Sequence, residues 1–162
     1  KVHVGIHKHG GEFGYCSFDY EIDEEGIPKF KAWSQTGSTA GLANNVARLK
    51  GLEKGSISGI EVFEMCKNGD EIAIQEVNKY YYNMAIGIYN IQYIYDPEVI
   101  VLGGAISERE DYIDEINKRL DYMMGTECGL EGTIKPLVKR CVYGNDANKL
   151  GALYNYLQKH SK

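Results

Sequence analysis

The sequence predicts an α/β fold, and two neighbouring patterns carry that prediction. A helical pattern of apolar residues runs from Asp70 to about Tyr95. It should end at Asp96-Pro97, because proline has no amide hydrogen and restricts the residue before it. A short β-branched run, Val99 to Leu102, follows without polar alternation. Such a run is typical of a strand buried on both faces, so a helix and a buried strand succeed each other.

A double glycine, Gly103-Gly104, follows that strand directly. The next segment, Ser107-Glu108-Arg109-Glu110, has the capping-box pattern that begins a helix. Ligands of open α/β sheets bind at the carboxyl ends of strands. Glycines there let a ligand approach the backbone closely, because no side chain stands in the way. The pattern therefore indicates a ligand site after the strand.

Composition indicates a globular protein without a membrane or nucleic-acid partner. Of 162 residues, 43% are hydrophobic and 25% are charged, which is ordinary for a soluble domain. The formal net charge of −5 does not suggest nucleic-acid binding. No apolar run approaches the ~20 residues that span a bilayer. The four cysteines, Cys16, Cys66, Cys128 and Cys141, form no CxxC pair, which favours a reducing cytoplasm.

The N-terminal residues predict strands. Val2 to His9 reads as a strand that presents His3, His7 and His9 on one face, since side chains alternate along a strand. Three histidines on one face could bind a metal, but a half-exposed strand is the preferred interpretation, because no acid or cysteine is suitably spaced nearby.

A hairpin pattern follows the histidines. Phe13 to Tyr20 and Lys29 to Trp33 predict two strands, and Asp23-Glu24-Glu25-Gly26 between them predicts a turn.

Two capped helices are expected before the long one. Ser38 and Thr39 can cap a helix that ends at Gly51. Ser58-Gly59-Ile60-Glu61 is a capping box, which predicts a short helix with Ile60, Phe63 and Cys66 facing inward. In the long helix, we interpret Tyr80-Tyr81-Tyr82 as packing residues rather than a stacking platform.

The C-terminal residues predict helix, strand and helix. Ile113, Ile116, Leu120 and Met123 form the stripe of one helix, and a loop covers residues 125–132. Ile134 to Val142 predicts a strand, with Pro136 at its start or at a sheet edge. Asp146 should cap a last helix, whose apolar stripe contains four residues, Leu150, Leu153, Tyr154 and Leu157.

Three segments resemble the ROK family, which groups bacterial sugar kinases with related repressors. Residues 96–104, Asp-Pro-Glu-Val-Ile-Val-Leu-Gly-Gly, are similar to its adenosine-side motif. Residues 10–15, Gly-Gly-Glu-Phe-Gly-Tyr, resemble its Gly-Glu-(Ile/Phe)-Gly-His segment. Residues 144–153 resemble the start of its C-terminal helix. The three occur in family order and span nearly the whole chain.

The resemblance implies the C-terminal lobe of the actin-like, ribonuclease-H-like ATPase fold, with a mixed sheet flanked by helices. Family kinases transfer a phosphoryl group from ATP, bound with magnesium, to a sugar hydroxyl. Their Asp-x-Gly-Gly-Thr phosphate loop and catalytic Asp stand upstream of the Gly-Glu segment, and neither precedes Gly10-Gly11. We therefore expect residues 1–162 to be a single domain, the second half of a larger protein that also supplies an N-terminal lobe. Alone, this chain should be inactive.

The resemblance also assigns site residues. Glu12 is the best sugar ligand, since a carboxylate can accept two hydrogen bonds from neighbouring hydroxyls; a solvated loop acid is the alternative. Tyr15 stands where the family has a histidine that contacts both sugar and zinc. The family's cysteine-rich zinc segment is absent as well, so no zinc is expected.

Gly103, Gly104 and Ala105 are the expected nucleotide contacts, with a tight strand-to-helix turn as the alternative. Asn145-Asp146-Ala147-Asn148 reads like the family's catalytic segment, but its place in the chain matches the C-terminal helix instead. We assign Asp146 as a cap and place no catalytic residue in this chain.

Three functions follow from the resemblance. The first is the nucleotide-side, sugar-contacting and dimerisation lobe of a sugar kinase that phosphorylates a hexose or amino sugar. The second is the effector-binding lobe of a sugar-responsive transcriptional regulator. The third is a non-catalytic sugar-binding relative. Family members commonly dimerise through this lobe, so a homodimer is expected.

Overall fold

The computed structural model describes residues 5–126 and 133–160. Residues 2–4 of the first predicted strand and Cys128 with most of the predicted 125–132 loop lie outside these ranges. The chain divides into two compact units, Lys1–Ile91 and Gln92–Lys162. The expectation of a single domain stays a prediction.

A β-hairpin is the only sheet in the described part of the first unit. Strands β1 (Ser17–Ile22) and β2 (Pro28–Ala32) pair antiparallel, with Tyr20 opposite Phe30. The predicted turn between them is confirmed. The Asp23 carboxylate accepts hydrogen bonds from the amides of Glu25, at 3.0 Å, and Ile27, at 2.8 Å. The hydrogen bond from Ile27 is the main reason that the pKa of Asp23 lies below its ordinary value.

The residues before the hairpin depart from the prediction. Residues 5–9 form turns, with Gly5 and Lys8 at φ +69° and +61°, so the strand predicted across His7 and His9 is wrong there. Its alternating pattern therefore does not place those two histidines on one face, and His3 lies outside the described residues. Phe13–Tyr15 forms a short 3₁₀ helix rather than the start of a strand.

Four helices complete the first unit or begin in it: α1 (Trp33–Thr36), α2 (Thr39–Leu49), α3 (Gly59–Lys67) and α4 (Glu71–Tyr95). The caps predicted for α2 and α3 are confirmed. The Ser38 hydroxyl accepts a hydrogen bond from the Gly41 amide at 3.0 Å. At α3, the Glu61 carboxylate accepts from the Ser58 amide at 2.7 Å, and the Ser58 hydroxyl accepts from the Glu61 amide at 3.3 Å.

The core of the first unit joins α2, α3 and α4. Tyr80 and Tyr81 are buried and their rings meet edge to face at 5.4 Å, which confirms their interpretation as packing residues. Ile60 is 78% exposed, so its predicted inward position is wrong. Phe63 is buried as predicted, and Val62 rather than Ile60 is buried with it.

The second unit is built on two parallel strands. Helix α4 ends at Tyr95, as predicted, and Asp96 has φ +47°. Strand β3 (Ile100–Leu102) pairs with β4 (Val138–Arg140), so that Leu102 lies opposite Arg140. The strand prediction for 99–102 is confirmed, but its burial is not, because Val101 is 53% exposed. Strand β4 is shorter than predicted and begins after Pro136.

A helix follows each strand: α5 (Tyr112–Thr126) comes after β3, and α6 (Ala147–His160) comes after β4. Helix α5 buries Ile116 and Leu120. The helix start predicted at Ser107 is wrong. Ser107 is buried in a 3₁₀ turn, Ala105–Glu108, and its hydroxyl donates to the Gly104 carbonyl at 2.7 Å. The Ser107 hydroxyl therefore bonds the carbonyl that precedes the turn and does not cap the amides of a following helix.

Helix α6 begins directly after Asp146, as predicted, and the Asp146 carboxylate contacts the Lys149 ammonium at 2.8 Å. None of its described residues is buried. The exposed fractions of Leu153 and Leu157 are 54% and 48%. The predicted apolar stripe therefore faces solvent. In the described residues, no helix has the length and apolar character to cross a membrane.

Candidate functional site

The first group of candidate residues lies on the 3₁₀ helix before the hairpin. Glu12 is the residue before this helix, and its carbonyl accepts from the Tyr15 amide at 3.1 Å. A 3₁₀ helix has three residues per turn, so positions 12 and 15 lie one above the other. The structure thus brings the two predicted sugar residues to the same side of one turn.

Both side chains on this turn are exposed. Tyr15 is 77% exposed, and its ring meets the edge of the His9 ring, with centroids 6.4 Å apart. Glu12 is exposed as well. An exposed carboxylate accepts hydrogen bonds only, while the tyrosine offers a ring face and a hydroxyl that donates and accepts. That combination suits a polyhydroxylated ring.

The second group of candidate residues lies where the parallel strands end. Their carboxyl ends are tied together: the Cys141 amide donates to the Leu102 carbonyl at 2.8 Å, and the Gly104 amide donates to the Gly144 carbonyl at 3.3 Å. The loop after β3 and the loop after β4 therefore lie side by side at one edge of the sheet, the edge where α/β proteins bind ligands.

The two glycines of this loop have different surroundings. A Cβ on Gly103 would lie 3.4 Å from the Cβ of Cys141, so this glycine packs against the neighbouring loop. Gly104 has φ +85°, and a Cβ there would meet no atom within 4 Å. Its left-handed conformation favours glycine, and its backbone is open to a ligand. Ala105, the third predicted residue, is exposed.

Sequence reasoning missed a cation at this edge. Arg140 is exposed and lies opposite Leu102 in the strand register, at the residue where β4 ends. A guanidinium there is suited to a phosphate, which it can bind with two parallel hydrogen bonds. The available signal was the Lys139-Arg140 pair within a predicted strand.

An open groove of about 550 Å³ runs along the exposed face of the same strands. Its walls are largely apolar side chains, with Arg140 and Lys139 at one strand. The apolar and aromatic residues that line it are Val99, Val101, Leu137, Val142 and Tyr143.

The described residues contain no group of three histidine, cysteine, aspartate or glutamate side chains placed to hold a metal ion. The expectation that no zinc is bound stays a prediction, as do the site assignments themselves.

Fold and loop geometry together define a class of protein. Helices flanking small sheets, with a glycine loop at the carboxyl ends of parallel strands, make this chain an α/β lobe of the actin-like ATPase fold. A sequence profile of the ROK family matches residues 1–159. The chain belongs to the ROK family.

Three similar proteins illustrate the relationship. A ROK family protein from Streptococcus pneumoniae, solved with sucrose, is 34% identical with a TM-score of 0.82, and the match covers 99% of this chain and 53% of that one. A beta-glucoside kinase of Listeria innocua is 29% identical over 94% of this chain and 50% of its own length. An N-acetyl-D-glucosamine kinase of Haemophilus influenzae is 26% identical over 98% of this chain and 53% of its own. This chain thus spans about half the length of the curated relatives that it matches.

Proposed function

We propose that the full-length protein is an ATP-dependent sugar kinase and that this chain is its sugar-contacting, nucleotide-side C-terminal lobe. The observation that carries this proposal is the match of nearly the whole chain to about half of two named sugar kinases. The kinase is favoured over the transcriptional regulator, because the relatives named above with an assigned activity are kinases.

Glu12 would bind the sugar. Its exposed carboxylate can accept hydrogen bonds from two adjacent hydroxyls, and Tyr15 on the same turn can contact the ring. The relatives act on beta-glucosides and on N-acetyl-D-glucosamine, so the proposed substrate class is a hexose or an amino sugar.

Gly104 would bind ATP, with magnesium accompanying the phosphates. The open backbone at Gly104 fits a nucleotide that lies close to the loop, with Gly103 and Ala105 on either side. Arg140 adds positive charge at the same edge. Phosphoryl transfer depends mainly on positioning and charge stabilisation, which these groups can supply. The carboxylate that accepts the hydroxyl proton is expected from the N-terminal lobe.

The test uses the full-length protein and an assay of ADP release with hexoses and amino sugars. Glu12→Gln should raise KM for the sugar about tenfold or more, because hydrogen bonds to a charged acceptor are worth ~1.5–3 kcal/mol. Glu24→Gln, which changes an exposed acid in the hairpin turn, is the matched control and should leave KM unchanged.

The isolated chain, residues 1–162, should show no turnover. Sugar-dependent ADP release by this chain that disappears in Asp146→Asn would overturn the assignment of Asp146 as a helix cap. A full-length protein without sugar-dependent ADP release would overturn the kinase proposal.

We further propose a cytoplasmic homodimer. Dimerisation is supported by the apolar stripe of α6, which faces solvent in the described structure. Exposed apolar patches of this kind mark interaction surfaces. The cytoplasmic location agrees with four cysteines that form no CxxC pair.

A further inference from the structure

We infer that Trp33 is a positioning residue for the sugar-contacting turn, an inference that rests on the proposed role of Glu12. Trp33 begins the short helix α1, and its side chain and its backbone are held by different elements of the first unit. One residue thereby connects the turn that carries Glu12 and Tyr15 to helix α4.

The indole ring of Trp33 is fixed on helix α4. Its Nε1 donates to the Asn83 carbonyl at 2.9 Å. The ring lies directly against Gly87, where a Cβ would stand 2.1 Å from Cε2. Gly37 also lies against the ring, since a Cβ there would lie 2.5 Å from Nε1. The two glycines thus form a slot for the ring, and a side chain at either position would clash with it.

A reciprocal bond holds the end of α1 on the same helix. The side-chain amide of Asn83 donates to the carbonyl of Thr36, the last residue of α1, at 3.4 Å. Asn83 therefore accepts from Trp33 with its carbonyl and donates to Thr36 with its side chain. Helix α1 is attached to α4 at both of its ends.

The backbone of Trp33 holds the sugar-contacting turn. Its amide donates to the Cys16 carbonyl at 2.7 Å, and the Cys16 amide in turn donates to the Phe13 carbonyl at 3.0 Å. A Cβ on Gly14 would be 3.5 Å from the Cβ of Ser34, so the turn also packs against α1. A shift of the turn relative to α4 would have to break these contacts. Trp33 thus fixes where Glu12 and Tyr15 stand.

The experiment measures separate KM values for sugar and ATP in the full-length protein. Trp33→Phe keeps an aromatic ring but removes the Nε1 donor. We expect KM for the sugar to rise about fivefold, the effect of one lost neutral hydrogen bond, while KM for ATP stays within twofold. Phe63→Leu, which removes part of a buried ring from the core of the first unit, is the control for a purely structural effect and should change neither KM.

A double variant tests whether Trp33 acts through Glu12. Once Glu12→Gln has removed the carboxylate that binds the sugar, adding Trp33→Phe should raise KM for the sugar no further. The effects of two substitutions are not additive when one residue acts through the other. Asn83→Ala is compatible with a helix and removes the bond that holds the end of α1. It should raise KM for the sugar to a smaller degree, and it replaces Trp33→Phe as the test variant if Trp33→Phe does not fold.

Each outcome decides one claim. Equal rises in both KM values, additive effects, or an unchanged sugar KM in the variants of Trp33 and Asn83 would overturn the positioning role and leave the proposed function standing. An unchanged sugar KM in Glu12→Gln alone would remove the proposed sugar site, and the inference with it.

Discussion

Asp70 combines two roles at the start of α4. Its carboxylate accepts from the Ala73 amide at 3.0 Å, as a helix cap, and also pairs with the Lys50 ammonium at the end of α2. The hydrogen bond from Lys50 and then the bond from Ala73 lower the pKa of Asp70 below its ordinary value of 3.8. The contacts in the folded chain therefore stabilise the ionised form of the Asp70 side chain.

The first prediction concerns the pH dependence of this stabilisation. Because the folded pKa of Asp70 lies below the unfolded one, its contribution is complete above pH 3.8 and is lost as the pH falls through the folded pKa. Asp70→Asn keeps a capping side chain but no charge. Urea unfolding should show wild type more stable than Asp70→Asn at neutral pH, with the difference vanishing in acid. A difference that is the same at both pH values would contradict the electrostatic argument.

Single residues were well predicted where the relevant partner is close in sequence. Ser38 and Ser58 were predicted as caps, and each accepts a hydrogen bond from the amide three residues further on, so the local pattern contains the whole interaction. Ser107 was predicted in the same way and failed, because the Gly104 carbonyl competes for its hydroxyl. Arg140 was missed since its importance depends on Leu102, 38 positions earlier in the chain.

At the scale of elements, α4 and α6 each contain a glycine with opposite surroundings. Gly87 lies against the Trp33 ring, whereas a Cβ on Gly151 in α6 would meet no atom within 4 Å. Alanine is favoured over glycine in a helix by about 1 kcal/mol, so contact with neighbours decides the sign of the substitution.

The second prediction follows from this contrast. Gly87→Ala should lower the free energy of unfolding by about 1 kcal/mol or more, because overpacking exceeds the gain in helix propensity. Gly151→Ala should raise it by about 0.5–1 kcal/mol. Thermal unfolding of the two variants measures both. If Gly87→Ala is as stabilising as Gly151→Ala, the indole ring does not occupy the slot as described.

The elements themselves were mostly predicted, and their burial less so. The hairpin, the long helix and the strand after Pro97 all follow from periodicity and turn residues. The burial of β3 was overestimated because an apolar run shows that a strand is apolar, not how many layers cover it. In the described second unit α5 packs on the neighbouring strand β4, while Val101 stays half exposed.

At the scale of the whole molecule, α6 leaves the apolar stripe of Leu150, Leu153, Tyr154 and Leu157 exposed. Each large apolar side chain left in water forgoes roughly 1.5–3 kcal/mol of burial. The third prediction is that the chain dimerises through this stripe. Light scattering at tens of micromolar should give a dimer for wild type and a monomer for Leu153→Glu with Leu157→Glu. A monomeric wild type would contradict self-association, and a dimeric double variant would exclude this stripe as its interface.

The candidate site could be predicted in part, from motif order rather than from physics alone. The structure places a turn at Glu12 before the hairpin and a loop at Gly104 after a parallel strand, and their roles in binding sugar and nucleotide stay predictions. Gly103 packs against Cys141, whereas Gly104 is open. This difference depends on a contact between residues far apart in sequence, so no local pattern predicts it.

The slot that holds Trp33 also gives the molecule an optical label. Trp33 is the single tryptophan, so indole emission reports only on the unit Lys1–Ile91. Of the sixteen buried apolar residues in the described ranges, that unit contains twelve, which makes its core the larger one. In a urea titration, the circular dichroism of the whole chain should therefore begin to fall before the emission of Trp33 changes. Coincident curves would instead show that both units unfold as one cooperative body.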